Sequence, residues 1–276
     1  VDFLTEPLAY AFLRRALLAG VAIAAASGLL GTFVVERGLA FLTDGLAHAT
    51  FGGIALGLLL GATVDNAPFL ALPFAVLVAL GIGLVRRRSG LGADVATGVF
   101  FALSFALGVV CLGLRPAGAP AVDVESLLFG SILAVSREGL LAVLAAALLT
   151  LLVLARIGPR LAYATFDPEL AEIDGVKVAR LESALMALVA VVVAAGLRSV
   201  GAFLVGAFVV VPSATAHLLV RRLLPVAAVS MGVAVGATVV GLFVSYHLDL
   251  AAGATIVVFL GTAFFVALLL RRADHS

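Results

Sequence analysis

The chain has 276 residues, 64% of them hydrophobic and only 12% charged, with a mean hydropathy of +1.28. Soluble domains carry roughly 25% charged residues, so a water-soluble domain is excluded. A net charge of +1 offers no electrostatic footprint for a nucleic acid. Runs such as LLAVLAAALLTLLVLA (140–155) are apolar on every side, unlike the alternating strands of a membrane barrel. The chain therefore reads as a polytopic helical membrane protein, one all-α domain over residues 1–276.

In chain order, FLTEPLAYAFL and Arg14–Arg15 read as an interfacial helix over residues 1–15, with arginines reaching the outer headgroups; no cleavable leader is read there. Hydropathy then marks spans near 16–35, 39–61, 67–85, 95–114, 138–156, 182–199, 202–220, 225–246 and 253–270. Only Val200 and Gly201 separate the sixth and seventh, so these can also be two halves of one broken helix, which gives eight spans. With the first terminus outside, twelve of the seventeen basic residues fall on the cytoplasmic side and five outside, as the positive-inside rule requires. Glu36 and Arg37 mark a tight cytoplasmic turn.

The second span holds two polar residues, Asp44 and His48, in LAFLTDGLAHATFGGIALGLLLG. Four positions apart, they share one helix face, and a carboxylate and an imidazole inside a membrane are costly unless they do something. Two readings stay open: a polar pair that pins one helix to another, or ligands for a metal ion. Two ligands are too few for a tight site, but a two-fold dimer around a pore presents each twice, a set that suits a first-row divalent cation. Gly53, Gly57 and Gly61, at four-residue spacing, read as a close-packing face.

Asp94 reads as an N-cap or local charge partner at the start of the fourth span, and Cys111, alone and in an apolar run, as a buried small residue. The outer segment 115–137 turns amphipathic after its Pro and Gly. The cytoplasmic segment 157–180 reads as a loop carrying a short helix: Asp167 as N-cap, Pro168 at the first position, Glu169 in the first turn and Gly175 as the stop. Pro212 breaks the ladder of the seventh span, where Ser213 and Thr215 can satisfy the freed groups. His217 reads as a helix-end histidine facing carbonyls or headgroups. Asp65, His247 and Asp249 lie in outer turns, and His275 in the tail. The only lysine is Lys177, followed by Val178, so no phosphate-binding GKS or GKT exists in this chain; nucleophile and HExxH signatures are missing too. The chain is not read as an enzyme.

Four blocks in order carry a resemblance: GTFVVERGLAFLTDGLAHATFGGIALGLLLG (31–61), SLLFGSILAVS (126–136), FDPELAEIDGVKVARLE (166–182) and VGAFLVGAFVVVPSATAHLL (200–219). Together they resemble the ABC-3 family, the membrane permease subunits of ABC importers for zinc and manganese. The resemblance implies a homodimer with the fold of the vitamin B12 and siderophore permeases, in the prokaryotic plasma membrane. It also implies a separate cytoplasmic ATPase dimer and an extracellular or periplasmic metal-binding protein. The implied pore ligands are Asp44 and His48, for transported Mn²⁺ or Zn²⁺ and with no bound cofactor. The implied ATPase-coupling helix runs from Phe166 to Val178, with Asp167, Pro168 and Glu169 at its start and Leu170 and Gly175 within it. Thr43-Asp44 replaces the family's usual Gly-Asp, and Leu46-Ala47-His48-Ala49 leans towards zinc-type members. The rivals are a permease for a metal chelate (haem, cobalamin or a siderophore) and a stand-alone secondary metal transporter.

Overall fold

The computed structural model describes residues 9–63, 66–116 and 132–273. The predicted outer amphipathic segment, for the most part, together with Asp65 and His275, lies outside the described residues. The long helices are α1 (Ala11–Glu36), α2 (Leu42–Leu59), α3 (Ala67–Ser89), α4 (Ala93–Gly113) and α5 (Arg137–Phe166). After the short α6 (Pro168–Ile173) come α7 (Val178–Val200), α8 (Ala202–Leu219), α9 (Leu223–Leu248) and α10 (Ala252–Ala273). Eight of these are long and apolar enough to cross a membrane, and α8 supplies a shorter apolar helix over Phe203–Leu219.

The helix directions follow from what their ends touch. Arg37, just past α1, donates to Thr165 Oγ1 at 2.9 Å, near the end of α5. Arg86, at the end of α3, pairs with Glu182 at the start of α7. His217, at the end of α8, meets Glu36 at the end of α1. Arg37 feels the charges of both Glu182 and Arg86, so these contacts gather at one end of the bundle, the cytoplasmic end by its arginines. Burial pushes the Arg37 guanidinium below its ordinary value, with Glu182 opposing and Arg86 reinforcing. At the other end Tyr10, before α1, packs on Tyr246 near the end of α9, with ring centroids 6.0 Å apart.

The α7–α8 connection settles the choice between eight and nine passes. α7 begins at the arginine-bearing end and α8 finishes there, so the two are an antiparallel hairpin and not one broken helix. Gly201 makes the reversal at φ 93°, a conformation that L side chains avoid. Across it, a Cβ on Gly196 would lie 2.5 Å from Val205 Cγ2.

Two expected boundaries move. The helix placed at 1–15 as an interfacial element is, over 11–15, the first turn of α1. An apolar helix gains more by continuing its hydrogen-bond ladder than by breaking it at two arginines that snorkel. α5 continues ten residues past the expected end at 156. Thirty residues span about 45 Å, against roughly 30 Å of hydrocarbon, so α5 projects beyond the bilayer and much of the expected loop is helix.

Small residues set the packing, as expected where lipid competes with side chains for apolar contact. A Cβ on Gly31 of α1 would overlap the Val209 carbonyl of α8, and one on Gly52 of α2 would lie 2.5 Å from the Ser104 carbonyl oxygen of α4. Gly53 and Gly57 face Ala71 and Ala67 of α3, as the four-residue spacing predicts. Gly61 instead falls past the end of α2, in the turn. Buried hydroxyls are satisfied inside their own helices: Thr50, Thr150, Thr215 and Thr238 each donate to the carbonyl four residues back at 2.7–2.8 Å. Ser27 and Ser213 are exceptions, each with its Oγ buried and without a partner among the described residues; α8 runs through Pro212 without help from Ser213.

Glu182 is 8% exposed and has Arg87 3.8 Å away in addition to Arg86. Removing Arg86 leaves a nearly buried carboxylate with its weaker partner only. Arg86→Met is therefore expected to destabilise the chain by about 1–3 kcal/mol, the fully buried figure discounted for the partly exposed arginine. The check is a lowered thermal unfolding midpoint in detergent.

Candidate functional site

α2 begins a short turn past α1, with Thr43 Oγ1 donating to the Ala40 carbonyl at 3.0 Å. Asp44 lies in its first turn, where the helix dipole favours a negative charge. Its side chain points out of the helix and is exposed on this chain's surface. The carboxylate rests over α8 at Gly206, where a Cβ would stand 3.2 Å from Oδ1. A larger residue at 206 would displace it.

His48 is half-buried one turn further on. Its Nδ1 lies 2.9 Å from the Asp44 backbone carbonyl. A carbonyl only accepts, so Nδ1 carries the hydrogen and Nε2 is left with a lone pair. The ring is held by α4: its centroid is 4.3 Å from Phe101 and 5.7 Å from Phe105. Asp44 and His48 are thus brought to one open face, with the imidazole hydrogen-bonded to the Asp44 backbone and not to its carboxylate. Carboxylate oxygens and an accepting ring nitrogen on one helix face are groups that can ligate a cation. No group of three or more His, Cys, Asp or Glu gathers among the described residues.

The segment 166–175 folds as its local chemistry dictates. Asp167 Oδ1 accepts from the Leu170 amide at 2.9 Å, Pro168 opens α6 and Glu169 sits in its first turn. Gly175 ends it at φ 80°. Tyr163, near the end of α5, donates to Asp174 Oδ2 at 2.6 Å, and Ala171 is fully buried. Phe166, Leu170 and Ile173 project outward, Ile173 79% exposed. Phe166 ends α5 and the other two lie on α6, and the described residues leave all three uncovered.

Other expected roles resolve differently. Asp94 does not cap α4; Gly92 does, and Asp94 lies exposed in the first turn. Cys111 is buried. Asp249 forms the left-handed C-cap of α9. His217 does face a carbonyl, that of Ser213, but it also meets Glu36, a partner 181 residues away that no local pattern signals. Gly206 and Phe101 were equally hidden: nothing in their own segments ties them to Asp44 and His48.

Helix length and apolar content define an integral-membrane protein. The ABC 3 transport family model matches residues 9–271, and the chain belongs to that family. Curated relatives are named for manganese transport or import. One, the manganese transport system membrane protein MntC of Halalkalibacterium halodurans, is 35% identical over 266 residues, 96% of this chain and 89% of that one. Among solved structures, PsaBC from Streptococcus pneumoniae in complex with Fab is similar, with a TM-score of 0.81 and 28% identity over 96% of this chain and 94% of its own. A chain described as an inward-facing metal-chelate type ABC transporter superposes with a TM-score of 0.74 at 18% identity, covering 93% of this chain and 85% of its own; that likeness is one of fold, the fold expected from the resemblance. The chain is a multi-pass permease of the prokaryotic plasma membrane.

Proposed function

We propose that this permease carries Mn²⁺ inward, with Asp44 and His48 from two copies of the chain as the ligands that hold the ion in transit. The observation that carries the reading is the open face that the Asp44 carboxylate, seated over Gly206, shares with the His48 imidazole, whose Nδ1 is tied to the Asp44 backbone carbonyl. One copy offers two ligands; a two-fold axis past this face brings four together. Carboxylate oxygen and imidazole nitrogen replace part of the ion's lost hydration, and the remaining positions stay with water, so the ion can leave. The manganese names of the relatives favour Mn²⁺ over the zinc towards which Leu46–Ala49 leans.

Energy comes from a separate cytoplasmic ATPase dimer seated on α6, and cargo from an extracellular or periplasmic metal-binding protein. The exposed Phe166, Leu170 and Ile173 beside Glu169 support the seat: an apolar patch with a polar rim, in water, on a rigid capped helix. Ile173→Asp is expected to weaken ATPase co-purification by about tenfold or more, because a carboxylate would be buried unpaired at the contact. Membrane insertion should be unchanged.

The transport claim is tested in liposomes. With the ATPase and ATP, the permease should accumulate radiolabelled Mn²⁺. Without the ATPase, an imposed proton or sodium gradient should drive none. Gradient-driven flux by the chain alone would overturn the reading in favour of a secondary transporter.

A further inference from the structure

A second carboxylate–imidazole pair joins the end of α1 to the end of α8. His217 Nδ1 lies 2.8 Å from the Ser213 carbonyl, and Nε2 lies 2.7 Å from Glu36 Oε2. As at His48, the carbonyl can only accept, so Nδ1 carries a hydrogen. Nε2 then faces a carboxylate oxygen at hydrogen-bond distance. The side chains are 27% and 30% exposed, so the pair is open to water and to exchange.

A divalent ion fits the same gap with little rearrangement. Cis ligands of an octahedral site, each about 2.1 Å from the ion, stand about 3.0 Å apart, only slightly wider than the observed contact. The pair also lies on the path proposed above. Residues 206, 213 and 217 fall on one face of α8 by helical spacing. The first meets Asp44; the last is eleven residues on, about 16 Å nearer the arginine-bearing end. Between them, the Ser213 hydroxyl is buried without a partner among the described residues.

We propose that Glu36 and His217 form an exit-side cation site. A divalent first-row ion that has left Asp44 and His48 binds Glu36 carboxylate oxygen and His217 Nε2 before it reaches cytoplasmic water. This rests on the reading of Asp44 and His48 as pathway ligands. With two protein ligands and water for the rest, the site binds weakly and releases fast.

The test uses the full chain with its ATPase in nanodiscs and Co²⁺ as probe, read by equilibrium dialysis and by the visible absorption of ligated Co²⁺. In the Asp44→Ala/His48→Ala background, saturable Co²⁺ binding with an imidazole signature should persist. Adding Glu36→Gln or His217→Gln should remove it. No residual Co²⁺ in that background, or residual Co²⁺ indifferent to Glu36→Gln and His217→Gln, overturns the proposal. Because binding is read with the first pair already gone, the outcome is separate from whether Asp44 and His48 carry transport. A second measurement separates a cation site from a mere tie between helices. In Glu36→Gln alone, the amide can still donate to Nε2, so a tie would leave Mn²⁺ uptake unchanged. A cation site should lose about tenfold in uptake rate.

Discussion

Replacing Asp44 or His48 by alanine is expected to lower Mn²⁺ uptake by more than about a hundredfold, beyond the usual loss for a residue that only supports a ligand. The permease should still be inserted and should still co-purify with its ATPase. Asp44 is exposed on the chain's surface and His48 half-buried against Phe101 and Phe105. Truncating either removes a group the bilayer disfavours and leaves no packed core residue missing. Function and stability should therefore separate: uptake lost, thermal midpoint unchanged or raised. Gly206→Ala probes the same claim without touching a ligand. Its methyl would stand 3.2 Å from Asp44 Oδ1, so the carboxylate must swing away and uptake should fall, by less than for Asp44→Ala. Normal uptake of radiolabelled Mn²⁺ in both Asp44→Ala and His48→Ala would remove the metal-site claim.

Gly31→Ala is expected to prevent accumulation of a folded chain. The added methyl overlaps the Val209 carbonyl of α8, which is helix backbone and cannot rotate aside. Overpacking against movable side chains costs about 1–3 kcal/mol; against a fixed carbonyl the cost should exceed that range. The gain from replacing a mid-helix glycine, about 1 kcal/mol, has the opposite sign and is too small to offset it. The measurement is the yield of monodisperse protein after detergent extraction, with Gly232→Ala as control, since nothing lies within 4 Å of a Cβ built there. Equal yields for the two variants would contradict the close α1–α8 approach.

Much of this architecture is legible in the chain because its signals are local. Apolar runs place the helices, since a bilayer satisfies no backbone group and imposes helix on every crossing segment. The coupling helix is legible for the same reason: Asp167, Pro168 and Gly175 act on neighbours within a turn or two. Helix ends at water are not, because continuing a ladder past the bilayer costs little; α5 runs to Phe166 and α1 takes in Arg14 and Arg15 for that reason. The pair Asp44 and His48 is visible as an anomaly of composition. Its surroundings, Gly206 from α8 and Phe101 from α4, come from segments far apart in the chain, and only packing brings them together. Glu36 and His217 looked like a turn residue and a helix-end histidine for the same reason.

The union of α1 with α8 has a mechanical meaning. Two contacts bind the two: Gly31 against the Val209 carbonyl, and Glu36 with His217. Helices meshed at backbone distance do not slide past one another in small steps, since interdigitated surfaces have discrete fits. Whatever opens and closes this transporter must therefore swing these two helices as one rigid arm, with flexure confined to the joints at Gly201 and at residues 220–222. Spin labels on α1 and α8 should keep a constant separation through the ATP cycle, while the distance from either to α4 changes; a shifting α1–α8 distance would show that the arm bends.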